Sequence, residues 1–205
     1  MSNSPQLIGR VERLLVNCPP DDKISTDRDE ITCILTGIEG DKHATAIRDS
    51  SGVREREIFN RPKTDRRAQV MNWREWSAVS VEEMMLLARK YGLPETHAVA
   101  LELGRAVGAN MVVSGIPKFT QLLPTSLLVF PDCSWITMAL NFPCRGAGDQ
   151  VAKLFPGTDP ALFAKHALNI RGLVGKVFEG GKIKNGDPIE VRRRGIELPL
   201  ADSDE

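Results

Sequence analysis

The chain has 205 residues, 41% of them hydrophobic, and its 27 basic and 27 acidic side chains cancel. A balanced charge offers no net field to a nucleic acid or an anionic membrane, and no apolar run reaches the roughly 18 residues of a spanning helix. The polar start Met1-Ser2-Asn3-Ser4-Pro5 lacks the apolar core of a signal peptide, so the expectation is one cytoplasmic globular domain with reduced cysteines.

In chain order, Leu7 to Val16 combines partial alternation with β-branched residues and reads as an opening strand, ended by the loop Cys18-Pro19-Pro20. Glu30 to Leu35 is a second strand, running into Thr36-Gly37-Ile38-Glu39-Gly40-Asp41-Lys42-His43-Ala44, where two glycines bracket a turn. Arg48 to Arg67 reads as a long excursion with little regular structure. Its arginines, Arg48, Arg54, Arg56, Arg61, Arg66 and Arg67, either fork onto a phosphate or form a solvated basic loop balanced by Asp49, Glu55, Glu57 and Asp65. Gln69 to Val79 is expected to be extended.

Ser80-Val81-Glu82-Glu83 has capping-box spacing and opens a helix that runs to Tyr91-Gly92. Pro94 begins a second helix over Glu95 to Leu103, followed by a loop from Gly104 to Asn110. Met111 to Gly115, Ser126 to Phe130 and Ser134 to Leu140 read as strands, the last two joined by the turn Pro131-Asp132-Cys133. Asp149 to Phe155 reads as a short helix stopped by Pro156-Gly157, and Asp159-Pro160 caps another over Ala161 to Leu168. Arg171 to Glu179 is a strand, and Asn185-Gly186-Asp187-Pro188 is a turn before a last strand. About seven or eight short, turn-separated strands with helices in the connections predict a mainly β fold with peripheral helices, a closed or nearly closed barrel. The expected organisation is a flexible tail at 1–6, one domain over 7–198 and a loose acidic tail at 199–205.

The stretch with the most chemistry is Asn141-Phe142-Pro143-Cys144-Arg145-Gly146-Ala147-Gly148-Asp149. Pro143 pushes Phe142 towards an extended conformation, and the glycines supply backbone freedom. Cys144 then falls just ahead of a helix N-terminus and beside Arg145, two sources of positive potential that favour a thiolate. A thiolate there serves as a soft metal ligand or a nucleophile; the ordinary alternative is a small buried residue in a tight turn. Cys18, Cys33, Cys133 and Cys144 are far apart and contain no Cys-x-x-Cys pair, which argues against a zinc knuckle and a redox dithiol. His43, His97 and His166 lie in separate contexts and give a histidine zinc site little support.

Five segments, in order, carry a family resemblance. They are Gly37 to Ala44; Asn72-Trp73-Arg74-Glu75-Trp76-Ser77-Ala78-Val79-Ser80; Gly108-Ala109-Asn110-Met111-Val112-Val113-Ser114-Gly115; Pro143-Cys144-Arg145-Gly146; and Arg171-Gly172-Leu173-Val174 through Gly186-Asp187-Pro188. The ordered set resembles the MOSC-domain family, relatives of the C-terminal domain of molybdenum cofactor sulfurase, in its stand-alone bacterial form. The resemblance implies a β-barrel with a pocket for the molybdenum cofactor, a phosphate-bearing pterin dithiolene (molybdopterin). It also implies that the cysteine matching Cys144 binds molybdenum or carries sulfur. By matched position, Lys42 and Arg74 are expected near the cofactor's anion. Asn110 and Ser114 are expected to hydrogen-bond the pterin, with His43 and Arg171 as further contacts and Arg145 steadying the thiolate.

The activity so implied is reduction of small N-hydroxylated compounds. The sequence has no flavin, haem or iron–sulfur motif, so electrons are expected from a separate electron-transfer protein. The alternative is a non-catalytic module that carries sulfur or the cofactor on Cys144. Pyridoxal phosphate is attached to the family only through a fused aminotransferase-like domain, and it is not expected to bind. Two departures stand out. Glu75 replaces a common Gln, which sets a carboxylate against close phosphate binding beside Arg74. Ala109 fills a position that is Glu in another branch.

Overall fold

The computed structural model describes residues 7–17, 24–49 and 69–192. Cys18, Arg54, Arg56, Arg61, Arg66, Arg67 and the expected tails at 1–6 and 199–205 lie outside the described residues. In chain order the elements are β1 (Leu7–Val16), β2 (Thr26–Arg28), β3 (Glu30–Ile34), β4 (Gly37–Ile38), β5 (Ile47–Asp49), β6 (Gln69–Met71) and β7 (Trp76–Ser80). There follow α1 (Val81–Lys90), α2 (His97–Ala106), β8 (Met111–Ser114), β9 (Leu127–Val129), β10 (Ser134–Leu140), α3 (Arg145–Leu154), α4 (Phe163–His166), β11 (Leu173–Glu179), β12 (Gly181–Lys184) and β13 (Pro188–Arg192).

The strand order β13-β9-β10-β11-β7-β8-β1 closes on itself through antiparallel pairing of β13 with β1, giving a seven-stranded barrel. Closure removes the free edges that an open sheet would leave. β7 and β8 run parallel, which a tight turn cannot achieve; α1 and α2 make the crossover between them. The fold class expected from the sequence is therefore the one found.

Burial explains why β7 and β8 read as apolar runs rather than as alternating strands. Ala78, Met111 and Val113 face the barrel interior with Leu14, Trp76 and Trp135. Their neighbours Val79, Val112 and Leu15 face outward and pack under Met84, Leu87 and Leu103 of the two helices. Both faces are covered, so both carry apolar side chains. Inside the barrel the Trp76 and Trp135 rings stack at 4.8 Å and 17°, with Phe130 edge-on to Trp135 at 5.4 Å. Such aromatic pairs contribute about 0.5–1.5 kcal/mol beyond their buried area. Cys33 and Cys133 are buried here and act as packing residues, with the Trp135 indole N–H donating to Cys33 Sγ at 3.4 Å.

Several local expectations shift. Ser80 does cap α1, accepting from the Glu83 amide at 3.2 Å, but the Glu83 carboxylate accepts instead from Thr120 N at 2.8 Å and Thr120 Oγ1 at 2.6 Å. The second helix continues through Ala106, beyond the expected end at Leu103, because that turn still packs on the core. The expected helix after Asp159 is a 3-10 turn over Pro160–Leu162 followed by the short α4. β12, expected as part of a turn, pairs with β3 from Gly181↔Cys33 to Lys184↔Glu30.

Candidate functional site

The loop after β4 lies against the mouth of the barrel because one buried carboxylate ties it down. Asp41 Oδ2 accepts from Asn17 N at 2.8 Å and Asn110 Nδ2 at 2.7 Å. Its Oδ1 accepts from His43 N at 2.8 Å and lies 2.9 Å from His43 Nδ1. Burial alone would raise the Asp41 pKa, but the hydrogen bonds from His43 and Asn17 outweigh it and hold the carboxyl below its ordinary value. Lys42 Nζ donates to Asn17 Oδ1 at 2.7 Å.

Asn110 is the crosspiece of this end of the barrel. Its Oδ1 accepts from Ser77 N at 2.9 Å and its Nδ2 reaches Asp41 and, at 3.5 Å, the Leu15 carbonyl. With 1% of its surface exposed and its amide committed to the protein, Asn110 positions its neighbours. Asn72 does the same for the following segment, donating to the carbonyls of His43 at 2.8 Å and Thr45 at 3.0 Å and accepting from Arg74 N at 3.0 Å. Arg74 extends from there to Asn141 Oδ1 at 3.2 Å.

Glu75 does not oppose Arg74. Its side chain is fully buried and turned the other way, paired with Lys176 Nζ and accepting from Val177 N at 2.9 Å. The expectation that its carboxylate disturbs an anion near Arg74 is corrected: the charge is spent across the barrel wall on β11.

Helix α3 begins earlier than the sequence pattern suggests. It starts at Arg145, with Cys144 itself in the N-cap position, extended at φ −139 and ψ 158. The helix seats closely because residue 148 is glycine: a Cβ there would stand 2.5 Å from the Pro160 carbonyl oxygen. Gly148 therefore serves close packing, not the turn for which the sequence reading assigned it. Cys144 is exposed, not the buried turn residue of the ordinary alternative. Ala147 and Gln150 follow on the same helical face at the spacing of successive turns.

These elements enclose a cavity of about 240 Å³. Lys42, His43, Arg74, Asn110, Cys144 and Arg171 of the sequence-predicted set all line it. Arg171, 6% exposed, is anchored by donation from Nη2 to the Val107 carbonyl. It is followed by Gly172 at φ +83, where a Cβ would meet the Ala78 carbonyl oxygen at 1.9 Å, so only glycine lets the chain turn into β11. Ser114 is not part of the cavity. It ends β8, about 13 Å along the strand from Asn110, and its hydroxyl donates to Glu12 at 2.5 Å. Arg145 adjoins Cys144 in the chain, yet it is exposed and is not among the lining residues.

The sequence reading missed Trp76, Ser77, Asn141 and Gln150 as lining residues. Gln150 carried a signal: it lies on the face of Cys144 once the helix is begun at Arg145 rather than Asp149. It is 6% exposed, and its Oε1 has no hydrogen-bond partner among the described residues. The cavity wall carries three cations, Lys42, Arg74 and Arg171, and, among the described residues, no carboxylate. Among the described residues no group of three or more His, Cys, Asp or Glu side chains converges as a metal cage. No described helix is long and apolar enough to cross a membrane.

No family model matches the chain. It is 33% identical over 172 residues to the Bacillus subtilis protein YuaD, which is named provisionally for metal-sulfur cluster biosynthesis; the match covers 82% of each chain. The crystal structure of YuaD superposes with a TM-score of 0.79 at 30% identity, over 91% of this chain and 96% of that one. YiiM from Geobacillus stearothermophilus shares the fold at a TM-score of 0.60 and 13% identity, covering 92% of this chain and 77% of that one.

Proposed function

This chain belongs with YuaD to the stand-alone bacterial MOSC-type proteins, whose fold YiiM shares, and from that premise we propose that it binds the molybdenum cofactor, with Cys144 as the thiolate meeting the metal, and reduces N-hydroxylated compounds with electrons from a separate donor protein. The observation that carries the reading is the composition of one cavity wall. An exposed thiol at the start of α3 faces the same space as the cations Lys42, Arg74 and Arg171.

The residues present fit the cofactor. Guanidinium and ammonium groups suit its phosphate, and a soft thiolate suits a metal already held by dithiolene sulfurs. The buried Gln150 Oε1 offers an acceptor to a pterin N–H. No three described ligating side chains converge, which suits a metal that arrives at Cys144 with its own dithiolene ligands. When bound, the cofactor supplies the two-electron chemistry that removes oxygen from nitrogen. The chain's own part is to hold the anion, present the thiol and shape the space beside it.

A second reading has its own support. Cys144 is exposed, and YuaD's name refers to metal-sulfur cluster biosynthesis; these favour, as the second reading, a carrier of sulfur or of the cofactor on Cys144 without turnover. Protein purified from cells that make the cofactor separates the two. Near-stoichiometric molybdenum that falls at least tenfold in Cys144→Ser, with turnover of a hydroxylamine-type substrate, supports the reductase. A mass increase of one sulfur on Cys144, or bound pterin without turnover, supports the carrier. Metal content unaffected by Cys144→Ser removes the cofactor reading.

A further inference from the structure

His43 is held against a buried carboxylate while part of its ring stays open to the cavity. Its partner, Asp41, has no exposed side-chain surface, and its oxygens are occupied by Asn17, Asn110 and the His43 amide as well as by the ring. A carboxylate surrounded by donors takes a donor from the ring too, so the hydrogen of the neutral imidazole sits on Nδ1. The other ring nitrogen, Nε2, then carries the lone pair. The ring is 40% exposed and lines the cavity that also holds Cys144. A buried acid that fixes a tautomer on one side and leaves a basic nitrogen on the other is the arrangement that general acid–base chemistry requires.

We propose that Asp41 and His43 are the proton-transfer pair of this cavity, with His43 the catalytic residue and Asp41 its positioning partner. The proposal rests on the reductase reading for its substrate. In R–NH–OH the N–O bond breaks as two electrons arrive from the external reductant. The departing oxygen takes a proton from the His43 imidazolium Nε2 and leaves as water, and the nitrogen takes a second proton from solvent to give R–NH2. The Asp41 carboxylate accepts from Nδ1 and holds the ring in place during transfer, and His43 takes a proton back from solvent through its exposed edge.

Substitution His43→Asn isolates the effect, because Asn Nδ2 stands where His Nδ1 stood and can still donate to Asp41, while Nε2 is lost. The full cofactor-loaded chain is assayed with a hydroxylamino-purine and a reduced viologen as electron source. Metal content and melting temperature are read on the same samples. The expected result is a fall in kcat of about 100-fold or more, with KM, molybdenum content and melting temperature unchanged. Nitrogen NMR of wild-type His43 is expected to show hydrogen on Nδ1, and Asp41→Asn to abolish that preference. Turnover of His43→Asn within threefold of wild type, or a wild-type Nδ1 that carries no hydrogen, overturns the pair while leaving the cofactor reading standing. Wild-type protein that carries no metal and shows no turnover overturns the cofactor reading and, with it, the substrate assigned to the pair.

Discussion

At the scale of single residues, the site separates groups that hold the structure from groups offered to a ligand. Glu75 and Arg74 are adjacent in sequence but face opposite ways, one into the barrel wall and one towards Asn141. Glu75→Ala leaves Lys176 without its carboxylate and Val177 N without its acceptor, and it is expected to cost about 1–3 kcal/mol, seen as a lower midpoint in urea. Arg74→Ala is expected to lower that midpoint less than Glu75→Ala does, while weakening retention of the cofactor, measured as molybdenum per chain after dialysis. The opposite ranking would return Glu75 to the site.

Asp41 gives a pH prediction. Its folded pKa lies below the ordinary value of 3.8, so the folded state prefers the ionised form more than the unfolded chain does. That contribution is complete well above pH 3.8 and drains away as pH falls from there through the lower folded value. Asp41→Asn should therefore be less stable than wild type at pH 7, with the gap narrowing at pH 3. A gap that stays constant between the two would show that the charge of Asp41 contributes nothing.

At the scale of elements, helix α3 decides where the sulfur stands. Gly148 lets the helix press against the 3-10 turn at Pro160–Leu162, and the helix start carries Cys144 to the cavity mouth. Gly148→Ala is expected to lower stability by about 1–3 kcal/mol through overpacking. It should also change the rate at which Cys144 reacts with a thiol reagent, because the helix must move to relieve a 2.5 Å contact with backbone. An unchanged rate would mean that the cap position does not depend on this packing. In the same outer layer, the helix crossover between β7 and β8 explains a limit of reading by period. Val79 and Val112 look like interior positions out of phase, and they are in fact the outer face covered by α1 and α2.

At the scale of the whole molecule, the first and last strands of the described chain close the barrel, with Leu7 opposite Val191 and Arg10 opposite Pro188. Truncation after Gly186 removes β13, the bridge between β1 and β9, and is expected to abolish cooperative unfolding by circular dichroism. A truncated chain that still unfolds in one sharp step would show that closure is dispensable.

The sequence by itself determined the strands of the barrel, the capped first helix and the ordered segments that mark the family, but not the short strands β2, β4, β5 and β12. Those signals are local, written in the period of apolar residues, in turn chemistry and in spacing. It also named Cys144, Lys42, His43, Arg74, Asn110 and Arg171, because each belongs to one of those ordered segments. What only the tertiary structure decided was direction and company. Ser114 shares a segment with Asn110 yet leaves the site, since the strand between them carries its residues steadily away from a fixed end. Glu75 turns inward because Lys176, a hundred residues later, waits across the wall. The burial of Asp41 against Asn17 and Asn110, and the approach of Gln150 to the cavity, depend on segments that only the tertiary fold brings together, and no local pattern encodes that distance.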